Sequence, residues 1–185
     1  MLRIHYPKTI AFFIIVFAIY WSFSSLMPSE NYFQPKTAQD YSLQKALVHL
    51  KEMTKEPHFV GSDNHKEVRD YVVAQLQALG LEVHVQDTLG INEKWRSATK
   101  AQNILARIKG TNSGGKALLL LSHYDSSPHS SRGASDDGVG VATILEGVRS
   151  YLAKGKQPKN DIIILIDDAE ETGLNGADAF VRFHP

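Results

Sequence analysis

ALLLLSHYDS at residues 117–126 and DIIILIDDAEETG at residues 161–173 decide the fold. Each opens on an unbroken apolar run and closes on acidic residues. A strand that is apolar on both faces belongs inside a sheet covered by helices. Between the two runs, Val141, Ile144, Leu145, Val148 and Leu152 recur at helical spacing, and Gly155 and Pro158 close that segment. Strand, helix, strand predicts a parallel βαβ unit. Working outward, LEVHVQ (81–86) and QNILARIK (102–109) alternate as half-buried strands do. Tyr41 to Met53 reads as a helix opened by Asp40 or Ser42. His65 to Leu79 reads as a second, with a capping box at Asn64 and Glu67 and a stop at Gly80. Asn175 to Phe183 starts another. The expected fold class is α/β, a mixed and largely parallel sheet with helices on both faces.

The chain has 185 residues, no cysteine and a formal net charge of zero. No disulfide scaffold is available, and no basic field points to nucleic acid. From Thr9 to Met27 the sequence is apolar without a charge, preceded by Arg3 and Lys8 and carrying Tyr20 and Trp21 toward its far end. About twenty such residues suffice to span a bilayer, and the preceding basic residues place the amino terminus in the cytoplasm. A cleaved signal peptide is the competing reading, although no convincing Ala-x-Ala site follows. The expected organisation is a cytoplasmic tip and transmembrane signal anchor over 1–28, a linker over 29–39, and a folded part over 40–185. On either reading the folded part is extracytoplasmic, in periplasm, cell exterior or organelle lumen.

The polar residues fall where open α/β sheets place ligands, beyond the carboxyl ends of the strands. His123 and Asp125 follow the first run; Asp167, Asp168, Glu170 and Glu171 follow the second; Asp136 and Asp137 sit in GASDDG before the crossover helix. Imidazole and carboxylates together suit zinc, and a bridging carboxylate admits a second metal about 3.5–4 Å away. Taken singly, each cluster has a plainer reading. Asp136-Asp137-Gly138 suits a turn and cap, and Glu170-Glu171 suits the first turn of a helix. Three clusters at one sheet edge are hard to produce by capping alone. His49, His58, His65 and His84 read as structural or surface residues, His129 as an exposed loop residue, and His184 as no ligand.

SHYDS, GASDDG and DAEETGLNG resemble the metal-binding motifs of the zinc aminopeptidase family of bacterial leucyl aminopeptidase and glutamate carboxypeptidase II. PHFVGSDNHKEVRDYVVAQLQALG is similar to the opening of its membrane-anchored, endoplasmic-reticulum-type branch. By that resemblance His123 binds one zinc, Asp125 orients its imidazole and Asp136 bridges two zinc ions. Glu171 binds the other ion, Glu170 is the general base, and ALLLLS and DIIILI are central strands. The resemblance implies hydrolysis of peptide or protein substrates at a free amino terminus. The family's remaining Asp and His ligands have no counterpart after Glu171, so the chain reads as the amino-terminal part of a longer protein, with weak or no metal binding alone. A glutaminyl cyclase-like acyltransferase with one zinc is the first alternative. A non-catalytic receptor or complex subunit is the second. A magnesium phosphatase lacks a phosphate-cradling loop and any Arg near the clusters apart from Arg132.

Overall fold

The computed structural model describes residues 6–27, 35–112, 114–129 and 131–183. Arg3, Pro28 at the end of the expected anchor, residues 29–34 of the expected linker, and His184 lie outside the described residues. The chain forms two compact units, Met1–Gln34 and Pro35–Pro185. In the first, helix α1 (Tyr6–Leu26) has 21 residues and buries none of them. At 1.5 Å per residue it is about 30 Å long, the thickness of a bilayer's hydrocarbon core. Its length and composition are those of a membrane-crossing helix.

In the second unit, helix α2 (Leu43–Met53) opens at Ser42, whose hydroxyl accepts the Lys45 N–H at 3.4 Å. Helix α3 (Asp63–Ala78) starts after Ser62, earlier than the Asn64–Glu67 box predicts. Asn64 instead donates its side-chain amide to the Pro57 carbonyl at 3.4 Å. Gly80, at φ +81°, turns the chain out of the helix, as a left-handed glycine does. Strands β1 (Val83–Asn92) and β2 (Ser97–Ile108) form a hairpin; β3 (Leu118–His123), α4 (Val139–Ala153) and β4 (Ile162–Asp167) follow, and α5 (Asn175–Phe183) ends the described chain.

The strand order is β1-β2-β4-β3. β3 runs parallel to β4, with Leu118 opposite Ile162 and His123 opposite Asp167, so the βαβ unit forms. β2 is antiparallel to both β1 and β4. The sheet is therefore mixed, but two of its three pairings are antiparallel rather than largely parallel. The antiparallel share comes from the long β1–β2 hairpin, which reaches well past the two short alternating segments.

Ile104, Ala106 and Ile108 of β2 and Ile164 and Ile166 of β4 bury one face of the sheet against Val68, Val72 and Leu76 of α3 and Val141, Leu145 and Val148 of α4. Burying each large aliphatic side chain contributes about 1.5–3 kcal/mol. Asn103 points the other way and donates to the Gly176 carbonyl at 2.8 Å, placing α5 on the opposite face. Helices thus cover both faces. Among the described residues β3 is an outer strand, not a central one, and Leu118, Leu119 and Leu121 remain 56%, 43% and 52% exposed.

Candidate metal centre

The site grows from the paired ends of β3 and β4. His123 is the last residue of β3 and stands opposite Asp167, the last of β4. The parallel pairing therefore sends SHYDS and DDAEETG off the same edge. Residues 134–138 lead into α4 and bring Asp136 to that edge. The Asp136–Asp137 peptide is cis.

His123 is buried, 7% exposed, and both ring nitrogens are engaged. Nδ1 lies 3.0 Å from the Asp125 carbonyl oxygen and 3.3 Å from its Oδ1. Nε2 lies 3.1 Å from Asp136 Oδ1 and 4.0 Å from Glu170 Oε2. Asp125, 1% exposed, accepts the Glu170 N–H on one carboxylate oxygen at 3.1 Å and the Glu171 N–H on the other at 3.2 Å. Asp125 thereby holds the imidazole, by its backbone carbonyl with the carboxylate beside it, and its carboxylate holds the segment carrying the two glutamates.

Electrostatically the cluster is under-neutralised. Burial opposes protonation of His123, but the Asp125, Asp136 and Glu170 carboxylates outweigh it and lift the imidazole to about 10. Burial pushes Asp167 up to about 7, with the Asp125 and Glu170 charges adding to the effect and His123 opposing it. Burial also raises Glu171, helped by Asp136, Asp125 and Glu170. A concentration of carboxylates around one imidazole is the donor chemistry zinc accepts. Among the described residues no three His, Asp or Glu side chains are disposed to hold a metal ion by themselves. The residues fit such an ion as part of a donor set.

The structure brings His123, Asp125, Asp136 and Glu170 together, while Glu171 is tied in through its backbone. Asp137 turns away from them. It accepts the Gly140 N–H at 3.1 Å and the Ser122 hydroxyl at 2.6 Å, so it fastens α4 to β3. His84 and His129 are exposed, and His49 bonds the Tyr71 hydroxyl at 2.7 Å. His58 and His65 are not surface residues; they are 2% and 8% exposed. The His58 N–H donates to the Ser126 hydroxyl at 2.9 Å, and burial pushes its imidazole below the usual value. Asp168, fully buried, meets His65 Nε2 at 2.7 Å. No local pattern announces that pair. Its one sequence signal is a second acid directly behind Asp167 on an otherwise apolar strand.

Residues 103–185 match peptidase family M28. The match starts in β2 and takes in all three acidic clusters. A vacuolar membrane protease of Candida tropicalis is 38% identical over 151 residues, covering 77% of this chain and 16% of its own length. The chain thus spans about a sixth of that relative's length. A Zn-dependent exopeptidase of Parabacteroides distasonis superposes with a TM-score of 0.60 at 28% identity, over 72% of this chain and 49% of the other. Glutaminyl cyclase from Porphyromonas gingivalis gives a TM-score of 0.66 at 24% identity, over 80% and 55%, a likeness of fold alone.

Proposed function

We propose that this chain supplies the first donors of a zinc-dependent M28-type peptidase, tethered to a membrane by α1, with its catalytic unit on the extracytoplasmic side. The substrates are peptides or proteins, attacked at a free amino terminus. One observation carries the reading: the His123 ring is pinned through Nδ1 by Asp125 and faces Asp136 and Glu170 through Nε2.

Asp125 accepts from Nδ1–H, which leaves the Nε2 lone pair for a metal and fixes the ring plane. His123 and Glu171 would each hold one zinc, with Asp136 between the two ions. Bound zinc supplies a Lewis acid and a source of hydroxide near neutral pH. Glu170, 36% exposed at its side chain, reaches solvent while staying 4.0 Å from His123. That position suits a general base that takes a proton from water and returns it to the leaving amine.

The test compares hydrolysis of a free-amino-terminal peptide with its acetylated twin, using the protein at its natural length and Glu170→Gln as control. Cleavage of the free peptide alone, lost in the variant, supports the aminopeptidase reading. A glutaminyl cyclase-like acyl transfer is the second reading, favoured by the likeness to the Tannerella forsythia glutaminyl cyclase, 27% identical with a TM-score of 0.61. Ammonia release from a glutaminyl peptide, without cleavage of either test peptide, would favour it.

A further inference from the structure

We propose that His65, on α3, is a positioning residue that sets the Glu170–Glu171 segment through Asp168. This inference rests on the peptidase reading above. His65 lies on the inner face of α3, 103 positions before Asp168 in the chain. Its Nε2 meets Asp168 Oδ1 at 2.7 Å, and its ring stacks on Tyr124 with centroids 5.0 Å apart and planes 20° from parallel. Tyr124 lies between His123 and Asp125, and its N–H donates to the Asp167 carbonyl at 3.0 Å. One ring therefore touches both arms of the site, the β3 end by stacking and the β4 end by a hydrogen bond.

Asp168 is the residue through which such a contact can act. Its carboxylate accepts the Gln102 N–H at 2.8 Å and the Ala169 N–H at 2.7 Å. Those two donors identify it as an acceptor, so His65 Nε2 carries the proton between them. The Asp168 N–H donates to Asn103 at 3.0 Å. The next residue, Ala169, sits at φ +57°, a region that residues with a Cβ seldom occupy, and it is fully buried. A backbone in that state persists only when its surroundings hold it. Glu170 and Glu171 follow immediately. Without the His65 donor, the Asp168 carboxylate loses the one side-chain partner that ties it to α3. A residue one step removed from the reacting groups commonly changes metal affinity or turnover by about 10–100-fold.

The experiment uses the protein at its natural length. His65→Phe keeps a ring against Tyr124 and removes the donor, while His65→Gln restores a side-chain donor. In His65→Phe we expect amide hydrogen exchange at residues 167–173 to rise about ten-fold or more while β1 keeps its wild-type exchange. We expect kcat on a free-amino-terminal peptide to fall about 10–100-fold with KM within about two-fold. His65→Gln should recover most of both. If His65→Phe does not fold, Asp168→Asn is read against the same expectations. Unchanged kcat and unchanged exchange at residues 167–173 in a folded variant would overturn the proposal, as would exchange that rises equally throughout the unit. Wild-type protein that binds no zinc and cleaves no peptide would overturn the peptidase reading itself, and that failure is visible before any variant is made.

Discussion

The Asp125 carboxylate and the Glu171 backbone amide are joined by a 3.2 Å hydrogen bond across 46 positions of sequence. The same carboxylate stands 3.3 Å from His123 Nδ1. The end of β3 therefore dictates both where the imidazole points and where the segment after β4 begins.

Asp125→Asn tests that coupling. Asparagine keeps the shape and the backbone carbonyl but offers one side-chain acceptor where the Glu170 and Glu171 N–H groups converge beside the imidazole. Zinc affinity of the natural-length protein, measured by calorimetry, is expected to fall about 10–100-fold. An unchanged affinity would mean that the Asp125 carboxylate plays no part in placing the zinc donors.

Gly176→Ala probes the fit of α5 against the site segment. A Cβ at Gly176 would run into the Asp168 carbonyl and crowd the Asn103 side-chain oxygen. Both neighbours are fixed, one by the backbone and one by its hydrogen bonds. Denaturant unfolding is expected to show a loss of about 1–3 kcal/mol, the usual range for overpacking. A variant as stable as wild type would show that α5 can shift freely.

Glu146 links stability to pH. It is fully buried and accepts the Ser42 N–H at 2.8 Å and the Arg149 Nε–H at 2.5 Å. Burial alone would raise its carboxyl, but Arg149 and the Ser42 amide outweigh burial and hold it below 4.5. A depressed folded value means that the stabilisation is present above 4.5 and is lost as pH falls through the lower folded value. Glu146→Gln should therefore be less stable than wild type at pH 7, by about 1–3 kcal/mol, since Arg149 loses its carboxylate but keeps the Ala38 and Asp40 carbonyls. The gap should narrow on acidification below pH 4.5. A gap independent of pH would contradict the assignment.

The βαβ unit was legible because ALLLLS and DIIILI are long enough to register as strands whatever lies beside them. The metal-type residues were legible for a related reason: strands that run parallel bring their carboxyl ends to one edge. Of the hairpin, LEVHVQ and QNILARIK were legible as strands, but the turn and the strand ends beside it were not. Gly90 sits inside β1 with the Asn175 carbonyl packed against it, and Glu93 to Arg96 form a charged turn, so neither shows a strand's alternation. Leu119 and Leu121 misled in the opposite sense, since apolarity on both faces says nothing of whether a neighbouring strand is present. His65 and Asp168 were hidden because a pair formed between an early helix and a late loop leaves no local period. A histidine after a loop reads equally as structural or surface until the fold turns it inward.

Whether His123 anchors a zinc site is read from zinc X-ray absorption on the natural-length protein. We expect imidazole nitrogen at about 2.0–2.1 Å and carboxylate oxygens at about 2.0–2.2 Å around the zinc, no sulfur, and loss of nitrogen scattering and of bound zinc in His123→Ala. A wild-type protein that retains no zinc, or a spectrum unaltered by His123→Ala, would contradict a zinc site anchored by His123.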